Sequence, residues 1–160
     1  MRKAEITHKI MSSIRSKDTI PEKTLGSAMW KHGLRYRKHY DIYGKPDFVF
    51  IRKKIAVFCD GDFWHGNNWR IRGLKNLDEE LNGYNDFWKN KILKNISRDK
   101  SVNKQLKING WCVMRFWESA IKKGPILIAQ KIDKMLNKRY NDTYAPYKTT
   151  TPGNVDILVL

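Results

Sequence analysis

The chain has 160 residues, with 32 Lys and Arg against 16 Asp and Glu, so its formal net charge is +16. The excess is spread over both halves and favours a polyanionic partner, most often nucleic acid, over a merely soluble basic protein. A hydrophobic content of 41% excludes a disordered chain and fits one folded domain over 1–160.

No apolar stretch approaches the length of a membrane span, and the N-terminus lacks the apolar run of a signal peptide. Cys59 and Cys112 are the only cysteines, which excludes a disulfide framework and argues against a structural zinc site. We therefore expect a cytoplasmic protein, associated with the nucleoid if it is bacterial.

The first third of the chain predicts a helix followed by strands. Residues 1–18 are polar and basic and are expected to form an arm or a short helix. A helix is predicted over 19–33, because Thr19 and Glu22 match a capping box and Gly33 can end it. Three strands follow, with a basic turn at 52–54 joining the last two in a hairpin; they are predicted over 34–40, 47–51 and 55–59.

The remainder predicts a loop with one helical turn, two helices and one more strand. These are the loop 66–83, a long helix over 84–108, an apolar strand over 111–117 and a last helix over 125–136. A polar tail is expected from 137 to 160. This order predicts an α/β fold, a small mixed central sheet flanked by helices.

Two carboxylates are expected to meet at one edge of the hairpin. Asp47 begins one strand and Asp60 follows the next, so an antiparallel pairing brings them together. Converging carboxylates repel each other unless a divalent cation lies between them. Both residues are also common in turns, which is the alternative interpretation.

His65 lies close behind Asp60 and could act as a general base or stabilise developing charge. Phe63 and Trp64 stand before it in a Gly/Asn-rich loop. They either fill the core or present an apolar wedge to nucleic-acid bases. A second pair, Phe87 and Trp88, opens the long helix.

The long helix is strongly basic. Its cations are Lys89, Lys91, Lys94, Arg98, Lys100, Lys104 and Lys107. They form either a solvated face or a phosphate-binding surface. Asp99 is predicted to border the apolar side instead, where it either pairs with a core group or orients a catalytic histidine.

The order of these motifs resembles one known family. They are Glu22, Gly-Lys-Pro-Asp (44–47), Phe-x-Asp-Gly-x-Phe-Trp-His (58–65), Phe-Trp (87–88), Lys-Asn-x-x-Arg-Asp (94–99), Gly-Trp (110–111) and Phe-Trp-Glu (116–118). Over residues 8–122 the chain resembles the very-short-patch-repair (Vsr) DNA mismatch endonucleases. The resemblance implies the restriction-endonuclease-like fold of PD-(D/E)xK nucleases and magnesium-dependent nicking of one DNA strand beside a T·G mismatch.

The resemblance also implies roles at the reacting centre. Asp47 would be the central magnesium ligand, joined by the backbone carbonyl of Cys59. His65 would contact the scissile phosphate or activate its water. Glu22 would bind metal-coordinated water, although its capping box explains it without catalysis. Asp99 would support the residue at position 60.

Double-stranded DNA would be held by side chains of the loop and the long helix. Phe63, Trp64 and Trp88 match the aromatic wedge of the family, whereas Lys91 and Asn95 match polar helix positions near the DNA or the active site. Lys94 and Arg98 belong to the basic helix that would neutralise phosphates. We expect a monomer, with DNA-repair proteins as further partners.

Two departures from the family pattern stand out. The positions of a structural zinc site hold Asp62, Asn67, Trp69 and Ser119, so we predict no structural zinc and expect packing around Trp69 to hold the loop. Asp60 stands where some members have His, and is expected to join Asp47 on the metal.

Two other functions stay open on the sequence. Glu22, Asp47, Asp60, His65 and Asp99 also match the order of acids and histidine in Vsr-like homing endonucleases, which favours a restriction or homing-type site-specific enzyme. The lost zinc ligands are compatible with a non-catalytic DNA-binding module of degenerate nuclease fold.

Overall fold

The computed structural model describes residues 17–144 and 158–159, in which five strands form one mixed sheet. The strands, in sheet order, are β1 (Arg37–Lys38), β2 (Phe48–Phe50), β3 (Ile55–Asp60), β4 (Cys112–Trp117) and β5 (Leu158–Val159). Strands β1 to β3 pair antiparallel, whereas β3 with β4 and β4 with β5 pair parallel. With helices packed on it, this sheet is the predicted α/β architecture, consistent with a small restriction-endonuclease-like fold.

Six α-helices accompany the strands in the described part of the chain. They are α1 (Ile20–Lys31), α2 (Asn68–Ile71), α3 (Leu77–Asn82), α4 (Asp86–Ile108), α5 (Glu118–Lys123) and α6 (Pro125–Tyr144), and a 3-10 helix covers Ile51–Lys53. None of these described helices has the length and apolar character needed to cross a membrane.

The sheet carries an apolar cluster on each face. On one face Leu25 of α1 and Ile132 of α6 belong to the larger cluster, together with Phe48 and Phe116 of the sheet. On the other, Val102 and Leu106 of α4 pack with Ala56, Phe58 and Val113. Each buried aliphatic or aromatic side chain contributes about 1.5–3 kcal/mol relative to exposure, so this packing fixes α1 and α4 on opposite faces.

The first helix begins and ends as predicted. The side chain of Thr19 accepts a hydrogen bond from the amide of Glu22, and the Glu22 side chain accepts one from the amide of Thr19, which completes a capping box. His32 caps the last turn and Gly33 follows with φ 87°, a conformation that favours glycine.

The hairpin of β2 and β3 is confirmed. Phe48 pairs with Val57 and Phe50 with Ile55, and Lys54 turns the chain with φ 48°. Strand β4 then lies parallel to β3 over six residue pairs, from Ile55 with Cys112 to Asp60 with Trp117. The carboxyl ends of β3 and β4 therefore meet at one edge, beside Asp47 at the start of β2.

Several predicted bounds were wrong. The predicted strand 34–40 shortens to β1, because only Arg37 and Lys38 pair with β2. The expected loop 66–83 contains the short helices α2 and α3, the second capped by the Asn76 side chain on the amide of Glu79.

Helix α6 is longer than the predicted 125–136 and takes in the first residues of the expected polar tail, with α5 as an additional helix before it. The predicted N-terminal arm, apart from its last two residues, and the rest of the tail, apart from β5, lie outside the described residues.

Candidate active site

A groove of about 1320 Å³ opens at the edge where β2 begins and β3 ends. The N-terminal end of α1, the loop before β2 and one side of α4 form its walls. Every predicted acid and the predicted histidine line it, namely Glu22, Asp47, Asp60, His65 and Asp99. Sequence reasoning therefore predicted side chains that lie on one surface, although they are spread over 78 positions of sequence.

Asp47 lies at the centre of this edge. Its Oδ2 accepts a hydrogen bond of 2.7 Å from the amide of Cys59 on the neighbouring strand. Burial raises the pKa of Asp47 to about 7, and the nearby charges of Glu22 and Asp60 add to the effect. The charge of Arg115 lowers the pKa but does not offset the burial, so a cation at this point would stabilise the ionised carboxylate.

The loop before Asp47 fits closely against α4. Gly44 has φ 81°, and a Cβ there would lie 2.3 Å from Cγ1 of Val102. Only glycine satisfies both conditions, so position 44 allows the loop to pass directly over the long helix.

Glu22 is buried at the start of α1, and both oxygens of its carboxylate accept hydrogen bonds from the residues before the helix. Oε2 accepts from the amide of Asp18 at 2.8 Å, and Oε1 accepts from the Thr19 hydroxyl at 2.7 Å. The predicted capping box of Thr19 and Glu22 is therefore confirmed. Its predicted contact with metal-coordinated water stays a prediction.

Asp60, at the end of β3, faces a cation from its own sheet. Arg115 on β4 donates from Nε to Oδ2 at 2.6 Å and from Nη2 to Oδ1 at 2.8 Å. Both side chains are buried. The sequence predicts that Asp60 joins Asp47 on a metal ion, and this stays a prediction. The structure pairs Asp60 with Arg115, an ion pair that the sequence did not predict.

His65 is oriented by α4. Its Nδ1 lies in short hydrogen-bond contact with Oδ2 of Asp99, and the other oxygen of Asp99 lies 2.8 Å from Nη2 of Arg115. Burial opposes ionisation of Asp99, but the hydrogen bond to His65 and the charge of Arg115 outweigh it and lower its pKa. Asp99 thus makes both contacts that were predicted as alternatives, one with the buried Arg115 and one with His65. The catalytic role of His65 stays a prediction.

Among the described residues, one group of three side chains is close enough together to hold a cation. The ligand atoms of Asp60, His65 and Asp99 lie within 4.8 Å of one another. Arg115, however, already supplies a positive charge to two of its three members, Asp60 and Asp99.

An aromatic cluster forms the far end of the site. Phe63 contacts Trp64, Tyr84 and Trp88 in edge-to-face geometry, with ring centroids 5.0, 5.6 and 5.4 Å apart. Phe87 extends the cluster and is 54% exposed. Phe63, Trp64 and Trp88 are half-buried, so they belong neither to the core nor to open solvent.

Asn95 joins this cluster to the long helix, because its Nδ2 donates to the backbone carbonyl of Trp64 at 3.0 Å. Of the predicted DNA-binding cations, Lys91, Lys94 and Arg98 are exposed on α4. Lys91 and Arg98 line the groove.

Three of the four positions where the resemblance implies a zinc site are joined to one another by hydrogen bonds. Asp62 is buried and accepts from Nδ2 of Asn67 at 2.6 Å, from the amide of Ser119 at 2.8 Å and from its hydroxyl at 2.9 Å. The turn that carries His65 lies between Asp62 and Asn67 and is closed by this network.

Trp69 is held separately. Its amide donates to Oε2 of the buried Glu80 at 2.7 Å, and the hydroxyl of Tyr84 donates to Oε1 at 2.9 Å. The expectation was that packing around Trp69 holds the loop; the contact that the structure shows is the hydrogen bond from the backbone amide of Trp69 to Glu80. Glu80 was missed, although a Glu in the first turn of an Asn-capped segment was a visible signal.

The sheet, the acidic edge and the cationic groove wall together define a nuclease of the restriction-endonuclease-like class. Comparison with known proteins agrees. Residues 3–71 match the family model described as DNA mismatch endonuclease Vsr. The chain is 47% identical to the type II nicking enzyme V.NmeDIP of Neisseria meningitidis serogroup C, over 78% of this chain and 81% of that protein.

Two further relatives extend the comparison. Identity is 43% with the type II nicking enzyme V.HpaIIP of Haemophilus parainfluenzae, over 80% of this chain and 88% of that protein. It is 33% with the DNA mismatch endonuclease Vsr of Escherichia coli strain K12, over 71% of this chain and 70% of that protein. The chain belongs to the Vsr family and is a DNA endonuclease.

Proposed function

We propose that this endonuclease nicks one strand of double-stranded DNA beside a T·G mismatch, with magnesium as its cofactor. The observation that carries the proposal is the position of Asp47, a half-buried carboxylate with a pKa of about 7 in a groove that also holds His65. The half-buried aromatic cluster beside that groove supports a distorted, mismatched duplex as the substrate.

The residues at the edge fit a magnesium ion. Carboxylate and carbonyl oxygens are its preferred ligands. Burial is the first cause of the raised pKa of Asp47, and the negative charges of Glu22 and Asp60 add to it, so a cation beside Asp47 would relieve both. The Asp47 carboxylate and the Cys59 carbonyl would hold the ion. Asp60 is the weaker second carboxylate, because it shares its charge with Arg115. The ion would supply positive charge to the scissile phosphate and its attacking water.

The protein's own side chains would do the rest. Asp99 fixes the ring of His65 through Nδ1, which leaves Nε2 as the nitrogen that can take a proton from the attacking water or contact the phosphate. Glu22 would bind water of the metal site from α1. The exposed Lys91, Lys94 and Arg98 would neutralise phosphates on either side of the scissile bond.

The aromatic side chains would read the distortion of the duplex. Phe63, Trp64 and Trp88 already contact one another, so a wedge built from them is ordered before DNA arrives. A mismatched step is easier to unstack than a paired one, and a preformed wedge therefore favours it. We propose that the enzyme acts as a single-domain monomer in the cytoplasm or on the nucleoid. Repair proteins would then act on the nicked strand.

A strand-resolved cleavage assay tests the proposal. Each strand of a duplex carries its own fluorophore, and duplexes with T·G, T·A and C·G at one position are compared in Mg²⁺ and in EDTA. We expect one labelled strand of the T·G duplex to be cut in Mg²⁺ only. Equal cutting of the matched duplex at a fixed sequence would indicate a restriction or homing-type enzyme instead.

Asp47→Asn provides the matched control in the same assay. It keeps the shape of the side chain and the bond to the Cys59 amide, but it removes the charge that would bind the ion. Cleavage should fall at least about 1,000-fold while binding to the T·G duplex changes little. Full cleavage by this variant would overturn the assignment of the site. Cleavage by neither protein on any duplex would leave a DNA-binding module.

A further inference from the structure

Arg115 is a charged side chain in the middle of an apolar strand. It is 5% exposed, with Met114 and Phe116 as buried neighbours on β4. Its guanidinium lies 4.5 Å from the ring centroid of Phe58 on the adjacent strand. A lone guanidinium would be very costly at such a position, so the groups that surround it decide its role.

Every nitrogen of the guanidinium has an oxygen partner. Nε and Nη2 bond to the two oxygens of Asp60, Nη2 also lies 2.8 Å from Oδ1 of Asp99, and Nη1 donates to Oδ1 of Asn103 at 3.0 Å. One planar cation thus joins the end of β3 to two successive turns of α4. Lysine could not make these contacts together, since its donors leave a single point.

The contacts continue to the proposed base. Asp99 uses one oxygen for Arg115 and the other for Nδ1 of His65. A carboxylate in this position accepts a proton-bearing nitrogen, so Nδ1 carries the hydrogen and Nε2 keeps its lone pair. If the Arg115 contact is removed, Asp99 can rotate, and the ring of His65 loses its fixed orientation.

We propose that Arg115 is a positioning residue of the nicking reaction: it holds Asp99, and through Asp99 the Nδ1–H tautomer of His65, and it supplies the positive charge between Asp60 and Asp99. This inference rests on the proposed function of His65. It also places the catalytic cation with Asp47 rather than among Asp60, His65 and Asp99, where the guanidinium already lies.

A double-mutant cycle separates positioning from simple structural support. Arg115→Lys keeps the charge but loses the forked geometry, and it should lower the single-turnover rate on T·G duplex by about 100-fold, with duplex affinity nearly unchanged. In a His65→Ala background the same substitution should lower the rate by less than about threefold, because the histidine that Arg115 positions through Asp99 is absent. Asn103→Ala is the matched control, since it removes only the partner that lies outside the site.

An equal loss of rate from Arg115→Lys with and without His65 would overturn the proposal, and so would an unchanged rate in the single variant. Each rate is measured below the unfolding transition of that variant, so that a loss of folded protein is not counted as a loss of positioning.

A measurement on the wild-type protein needs neither folding of the variant nor activity. Nitrogen NMR of His65 should show hydrogen on Nδ1, and the Nε–H signal of Arg115 should be slow to exchange and should stay so on addition of Mg²⁺. A proton on Nε2 of neutral His65, or release of the Arg115 signal by Mg²⁺, would overturn the proposal. A protein that showed both expected signals but never nicked DNA would instead contradict the proposed function.

Discussion

Asp62 and Ser119 are 57 positions apart in the chain and are joined by two hydrogen bonds, from the amide and the hydroxyl of Ser119 to the two oxygens of Asp62. Together with the bond from Asn67, they connect the turn of His65 to the junction of β4 and α5. The turn that carries His65 is therefore held by hydrogen bonds to a buried carboxylate.

Replacement of Asp62 should loosen this turn. Asp62→Ala removes three hydrogen bonds and leaves the partners unsatisfied, and it should lower the free energy of unfolding by about 3 kcal/mol. Ser119→Ala removes one bond and should cost about 1 kcal/mol. Urea denaturation measures both. Equal small losses, or a zinc-selective chelator that lowers the melting temperature of the wild type, would contradict the hydrogen-bonded anchor.

The pKa of Asp47 predicts how the stability of the metal-free protein depends on pH. Burial raises this pKa from 3.8 to about 7, so the folded state binds a proton that the unfolded state has released. The contribution is fully present below pH 4 and is lost as pH rises through about 7, with a limit of about 4 kcal/mol.

Asp47→Asn is the reference for that experiment, because it cannot titrate. Unfolding by urea at pH 5 and pH 8 should show the wild type losing more stability than the variant as pH rises. Addition of Mg²⁺ at pH 8 should restore stability to the wild type only. Parallel pH profiles for the two proteins would show that Asp47 does not titrate as described.

The aromatic cluster predicts a selective effect on substrate choice. Trp64→Ala or Trp88→Ala should reduce the ratio of cleavage on T·G over matched duplex, because each removes a ring from the wedge. Trp30→Ala is the control, since Trp30 is 56% exposed and stacks with Arg35 away from the groove. An unchanged ratio in the Trp64 and Trp88 variants, or an equal drop in all three, would contradict the aromatic wedge.

The basic wall of the groove predicts the salt dependence of DNA binding. Lys91→Gln and Arg98→Gln should each reduce the slope of log affinity against log salt by about 0.9 if the side chain neutralises one phosphate. Lys134→Gln on α6 should leave the slope unchanged, because α6 packs on the opposite face of the sheet from α4. An equal effect of Lys134→Gln would mean that the whole charge of +16 acts as one diffuse field.

Local signals in the sequence predicted much of the fold and most of the groove. The capping box at Thr19 depends on neighbouring residues alone, and the hairpin of β2 and β3 follows from two apolar runs beside a short turn. The short helices α2 and α3 were not predicted, because they are too short to show the helical periodicity of apolar residues. The end of α6 was misplaced because polar residues can continue a helix as well as leave it.

The site was predicted less completely than the fold, and Arg115 shows why. A basic residue inside an apolar strand indicates a buried ion pair, but its partners Asp60 and Asp99 come from two other elements. Their identity depends on the parallel register of β3 and β4 and on the rotation of α4. The pairing of Asp62 with Ser119 is likewise a consequence of register, since both follow the ends of these two strands.

The turn before Asn67 and the segment after it are anchored separately. The chain between the two anchors can therefore accept inserted residues. Asp62 closes the turn of His65 by itself, whereas Glu80 secures the helices that follow, and between them Gly73 is exposed with no atom within 4 Å of where its Cβ would be. Chain inserted at Gly73 would extend from the surface without displacing His65. Gly73 is thus the point of this loop where added chain would leave the turn of His65 and the Asn76 cap of α3 in place.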